Sequence, residues 1–170
     1  MGTDKALIEV DGRTLVATAV AALAAAGASP VVVVGGNRSA LEALDLTCVD
    51  DRWPGEGPLG GIITALDSMD TDLVAVLSCD LTDASSIAVR SVMGALGDAD
   101  VAVPVVEGQA EWLHAIWRRA VLPTLESMFA AGVRAPRHAV ERLRVAQLLD
   151  GDPCWFHDAD RPEDLPSDSR

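Results

Sequence analysis

Asp80 follows directly on the apolar run Leu73-Val74-Ala75-Val76-Leu77 and the pair Ser78-Cys79. A carboxylate at the end of a buried strand stands where α/β sheets bind their ligands, and there it can hold Mg²⁺ against phosphate oxygens. The competing role is a cap or turn aspartate ahead of a helix at Ala84. Lys5 is the only lysine in the chain, and a sole lysine in Gly2-Thr3-Asp4-Lys5 suits neutralisation of a phosphate; otherwise it is a stray charge near the N-terminus. Asp50 and Asp51 can hydrogen-bond a base or ribose, or form an ordinary solvated loop pair. Gly57-Pro58-Leu59-Gly60-Gly61 precedes a helix, so its backbone N–H groups can approach an anion closely. It has no Gly-Lys-Ser/Thr of a P-loop. Cys48, Cys79 and Cys154 form no CxxC pair, and His114, His138 and His157 add no metal-ligand spacing. His114, between Leu113 and Ala115, reads as a core or interface residue, and no Ser-His-Asp set can be assembled.

The elements that must position these residues follow from the apolar pattern. Strands are expected at Ala6 to Val10, Val31 to Val34, Thr47 to Val49, Leu73 to Leu77, Val101 to Val105 and Trp112 to Trp117. In the last of these, the two tryptophans would face opposite sides, one of them in the core. Helices are expected at Arg13 to Ala26, Ser39 to Leu44, Ile62 to Met69, Ala84 to Leu96 and Ala120 to Ala131, the first ending at Gly27. Buried strands alternating with helices predict an α/β fold with a mostly parallel sheet wound by right-handed crossovers. Its strand ends, Gly35 to Asn37, Asp50-Asp51 and Cys79-Asp80, then converge on one edge.

With 170 residues the chain is expected to form one domain, residues 1–170. Hydrophobic residues make up 49% and charged residues 23%, enough apolar material for a core. The formal net charge of −13 argues against nucleic acid and anionic membrane, which need basic patches. A phosphate ligand would therefore need locally gathered cations or a divalent metal. Leu15 to Val34 is almost wholly apolar and about as long as a membrane span, but Gly27-Ala28-Ser29-Pro30 interrupts it, so a buried helix followed by a buried strand is expected. Cysteine usage points to a reducing, cytoplasmic location.

These clusters, in order, resemble the molybdenum cofactor guanylyltransferases (MobA-like), within the glycosyltransferase-A-like nucleotidyltransferase superfamily. That family opens with a strand and a loop L-A-G-G-x-S-x-R-M-G-x-D-K, whose last five positions match Met1-Gly2-Thr3-Asp4-Lys5. Asp51 falls where the family has an aspartate ending its third strand. Gly57-Pro58-Leu59-Gly60-Gly61-Ile62 matches G-P-L-x-G-I, Cys79-Asp80 matches the start of C-D-x-P, and Pro162-Glu163-Asp164-Leu165 matches the closing T-P-E-D-L. The resemblance implies a three-layer, Rossmann-like enzyme that transfers GMP from GTP to a molybdopterin phosphate and releases pyrophosphate. By that analogy Lys5 contacts the triphosphate and Asp80 holds Mg²⁺, these two being the catalytic pair. Asp51 accepts hydrogen bonds from guanine, Gly57, Pro58, Leu59 and Gly60 shape the base pocket, and Asn37 stands near the usual strand-end asparagine.

Three departures accompany the match. L-A-G-G-x-S-x-R is not in this chain, so the resemblance implies that the first strand is missing from it, most simply because the start lies upstream. An interrupted sheet would leave apolar edges open, so low solubility or a homo-oligomer is expected. The family's F-x-N-x-N-T-P is Phe156-His157-Asp158-Ala159-Asp160-Arg161-Pro162, with carboxylates where amides donate, and its His-Pro is Glu111-Trp112. Alternative readings are a nucleotide-binding or regulatory module without catalysis, and a related nucleotidyltransferase with a different acceptor.

Overall fold

The computed structural model describes residues 5–149 and 155. Met1 to Asp4 and Phe156 to Leu165, which carry part of the resemblance, lie outside the described residues, as does Cys154. A short hairpin comes first, β1 (Glu9–Val10) pairing antiparallel with β2 (Arg13–Thr14). The Asp11-Gly12 turn between them has both residues at positive φ, so Arg13 belongs to a strand and not to the helix expected there. Thr14 caps α1 (Leu15–Ala25), accepting the N–H of Ala17 at its side chain. Gly27, at φ +99°, ends the helix as its N–H reaches Ala24 O and the N–H of Ala28 reaches Leu23 O. No helix among the described residues is long and apolar enough to cross a membrane.

After β3 (Val33–Val34), α2 (Arg38–Glu42) and β4 (Cys48–Val49) comes α3 (Pro58–Ser68), which begins four residues before its expected start at Ile62. Proline at the first helical position is prearranged for a helix. Gly60 belongs inside it because an added Cβ would sit 3.4 Å from Trp53 Cβ and 3.5 Å from the Phe129 ring. Then follow β5 (Leu73–Ala75), α4 (Ser86–Ala95), β6 (Val101–Val106), β7 (Gln109–Ala110), β8 (Ile116–Arg118), α5 (Leu122–Ala130), α6 (Pro136–Ala139) and β9 (Val145–Leu148). Trp112 to Trp117 is not one strand: a 3₁₀ turn over Trp112–His114 precedes β8. The two indoles therefore lie together, with ring centres 6.2 Å apart.

The layers are those expected, but the strand directions are not. Along β6, Val101 and Val103 pack with α3 and α5, while Ala102 packs with α4, so helices cover both faces. Yet β5 pairs β8, and β6 pairs both β7 and β8, antiparallel; among the described residues only β3–β4 and β6–β9 are parallel. The sheet is mixed because an apolar run signals burial and carries no direction.

Among the described residues the sheet is also in two pieces, β3–β4 and the set ending at β5. The free edges of β3 and β5 face one another across a slot formed by two adjoining cavities of about 310 and 290 Å³. Both cavities are lined by Val32 and Ala75, with Leu23 of α1 and Ala65 of α3 on either side. Val33 donates its N–H to Thr47, just ahead of β4, Gly35 donates to Val49 on β4, and Val76 donates to Ala115 beside β8. By the alternation of a strand, the amides of Val34 and Ala75 point the other way, into the slot. Val31 to Val34 are half-buried and Leu73 is exposed, against the expectation of fully covered strands.

Candidate active site

The slot ends at the carboxyl ends of β3 and β5, and the chemistry-bearing residues gather there. Lys5, in a 3₁₀ turn over Lys5–Leu7, places Nζ 3.9 Å from Asp80 Oδ2. Asp80 Oδ1 accepts a hydrogen bond from Ser78 Oγ. The two side chains are only 33% and 23% exposed, so the pair is partly shielded yet reachable. Asp80 stands six residues ahead of α4, whose cap is Ser85, accepting the N–H of Ile87. The capping role is filled by another residue, while Asp80 lies in a turn and takes both the Ser78 hydroxyl and the Lys5 ammonium.

Asp51 lines the cavity of about 290 Å³ together with Gly57, Pro58, Ser78 and Cys79. Its Oδ1 accepts the N–H of Trp53 at 3.0 Å and lies 3.3 Å from Thr64 Oγ. Thr64 is 2% exposed, and its Oγ also accepts the N–H of Arg52. Both contacts of Asp51 use one oxygen, so Oδ2 remains as an acceptor. Asp50, by contrast, is held by Arg38 at 2.7 Å on the surface, with a side chain 88% exposed. The adjacent aspartates thus divide, one solvated and one in the cavity wall.

Other anticipated residues fall elsewhere. Asn37 caps α2, accepting the N–H of Ala40 at its side-chain oxygen, and is not among the cavity's lining residues. Leu59 is fully buried in the core and Gly60 packs on Trp53 and Phe129, so of the glycine-rich turn Gly57, Pro58 and Gly61 face the cavity. Two amides of that turn are engaged by the protein: Leu59 N–H donates to Arg134 O at 3.2 Å and Gly60 N–H to Gly57 O. The turn is therefore better suited as a wall than as an anion cradle. His114 is 4% exposed, within the fold.

The sequence reading missed the support of the loop between Asp51 and Gly57. Arg52 lies 4.3 Å over the Trp53 ring, Trp53 is 4.7 Å from Phe129, and Arg134 lies 3.9 Å over Phe129. Arg52 also binds Asp67 and Glu126, and Arg134 binds Glu56. The clustering of arginine and aromatic residues around the loop is a signal only after the fold brings residues 126–134 to it.

Asp80 is a single carboxylate, and among the described residues no group of three or more His, Cys, Asp or Glu could hold a metal alone. That donor set still fits Mg²⁺, which keeps several waters and binds through one or two carboxylates plus substrate phosphates.

The family of MobA-like NTP transferase domains matches residues 1–147. Among curated proteins, a probable molybdenum cofactor guanylyltransferase of Methanothermobacter thermautotrophicus is 32% identical over 179 residues, covering 97% of this chain and 90% of the relative. Among solved structures, molybdopterin-guanine dinucleotide biosynthesis protein A from Archaeoglobus fulgidus aligns with a TM-score of 0.75 at 21% identity, over 96% of this chain and 88% of that one. The 2-C-methyl-D-erythritol 4-phosphate cytidylyltransferase from Thermus thermophilus gives a TM-score of 0.75 at 20% identity, over 95% and 90%. At those identities the two structures speak to the fold alone.

Proposed function

This chain belongs to the family of MobA-like NTP transferase domains, and we propose that it transfers GMP from GTP to the phosphate of a molybdopterin-type acceptor in the cytoplasm. The observation that carries the reading is the meeting of Lys5 and Asp80 at 3.9 Å, at the same sheet edge as the cavity that contains Asp51. An acceptor phosphate oxygen attacks the α-phosphorus in line, forming the new P–O bond as the bond to the β-phosphate breaks and pyrophosphate leaves. No protein nucleophile is needed, and positioning with charge neutralisation supplies the acceleration. Asp80 would hold Mg²⁺, which when bound neutralises the phosphate oxygens. Lys5 places its ammonium against the triphosphate, exchanging its carboxylate partner for a phosphate. Asp51 Oδ2 accepts from the N–H groups of guanine, while Pro58 and Gly57 form the wall beside the ring.

Thermal melting with GTP, ATP or CTP, each with Mg²⁺, tests this reading. Saturation at 100 times Kd adds about 2.7 kcal/mol, so a shift confined to GTP is the expected result. Pyrophosphate release on adding molybdopterin then tests the acceptor. A chain that responds equally to all three nucleotides, or to none, would overturn the assignment.

A further inference from the structure

Resting on the reading of Asp51 as the guanine acceptor, we propose that Arg134, outside the cavity, is a positioning residue that sets base selectivity. It grips both ends of the loop between Asp51 and Gly57. At the far end, Nε and Nη2 bind Glu56 Oε2 at 2.8 and 2.7 Å. Its carbonyl accepts the N–H of Leu59 and lies 3.3 Å from where a Cβ on Gly57 would be. The Gly57–Pro58 wall is therefore seated on the Arg134 backbone, and Gly57, at φ +92°, is the residue that allows so close an approach.

At the near end the connection runs through rings. The guanidinium stacks on Phe129 at 3.9 Å while Nη1 donates to the Phe129 carbonyl at 2.8 Å, which fixes both the ring and its backbone. Phe129 packs on Trp53 at 4.7 Å, and the Trp53 N–H is the 3.0 Å donor that orients the Asp51 carboxylate. One residue thus links the carboxylate that reads the base edge to the wall that bounds the base, its side chain through Phe129 and Glu56 and its carbonyl through Leu59. Arginine suits this place because its planar fork stacks and binds a carboxylate at once, which an ammonium cannot do.

Guanine offers two N–H groups to a carboxylate, whereas hypoxanthine lacks the exocyclic amine, so the ratio of GTP to ITP affinity reads the carboxylate-to-wall geometry. Calorimetric Kd values for GTP and ITP with Mg²⁺ would be measured on the full chain, on Arg134→Ala and on Glu56→Gln. The second variant breaks only an exposed ion pair, whose loss costs little stability, so it keeps the test available if Arg134→Ala does not fold. Both variants are expected to lower the GTP-over-ITP ratio, Arg134→Ala by about tenfold. A folded Arg134→Ala that binds both nucleotides more weakly at an unchanged ratio, with Glu56→Gln like the parent, overturns the inference and leaves Asp51 in place. A parent chain that binds GTP and ITP alike overturns the Asp51 reading and this inference together.

Discussion

At Asp80 two cations compete for one carboxylate. Without nucleotide, Lys5 occupies it at 3.9 Å; a metal carried on a triphosphate would displace the ammonium toward the phosphate chain. The two residues should then fail differently. Asp80→Asn keeps the shape but removes the charge that anchors the metal, and kcat is expected to fall by about 10²- to 10³-fold, the usual loss for one preorganised electrostatic group. Lys5→Met is expected to raise KM for GTP by about tenfold or more, since a charge-assisted hydrogen bond is worth about 1.5–3 kcal/mol, and to retain measurable kcat. Steady-state kinetics on both variants separates the roles. Equal losses in kcat for the two, with KM unchanged, would mean that Lys5 does not contact the triphosphate.

Among the elements, β6 and β9 are joined at their start by a compact ion pair. Arg144 donates its N–H to Asp100 Oδ2 at 2.9 Å and its guanidinium to both carboxylate oxygens, while Asp100 N–H returns to Arg144 O. The side-chain hydrogen bond from Arg144, and after it the backbone one, hold the Asp100 carboxyl below the usual carboxylate range. A carboxyl lowered on folding stabilises the fold above its unfolded pKa, and that contribution disappears as pH falls through the folded one. Asp100→Asn should therefore destabilise the protein at about pH 7, with the gap to the parent closing toward about pH 3. Urea unfolding at the two pH values checks it; a gap of constant size would exclude ionisation as its source. The same pair shows what sequence can and cannot reveal about elements. The run ending in Val105 was legible as a strand, but Val145–Leu148 is a four-residue Val-Ala-Gln-Leu with no turn signal before it. Strand ends made Asp51 and Asp80 legible as candidate site residues, because an apolar run followed by a polar one marks the ligand edge of a sheet. Thr64 beneath Asp51 and the Arg134–Glu56 bond, spanning 78 positions, leave no local pattern to read.

For the molecule as a whole, the slot between β3 and β5 is the feature that bears on stability. Its walls are strand edges with inward-facing amides, and α1 and α3 cover its two faces. Water there can satisfy the amides, but it leaves Val32, Ala65 and Leu23 in contact with solvent-filled space, while a β-strand would satisfy both. Val31 to Val34, an apolar run suited to coverage on both faces, is half-buried beside the slot. An extended apolar segment parallel to both neighbours would join the sheet halves and bring its own carboxyl end to Asp51 and Asp80. A version of the chain carrying L-A-G-G-x-S-x-R in frame ahead of Met1 should accordingly melt about 10 °C higher, the shift expected from burying two or three large apolar side chains in a domain of this size. It should also run as a single species on size exclusion, whereas the 170-residue chain is expected to self-associate through the β3 and β5 edges that are unpaired among the described residues. A sharp, reversible melt of a monomeric 170-residue chain, unchanged by the added segment, would show that the slot is tolerated as it stands.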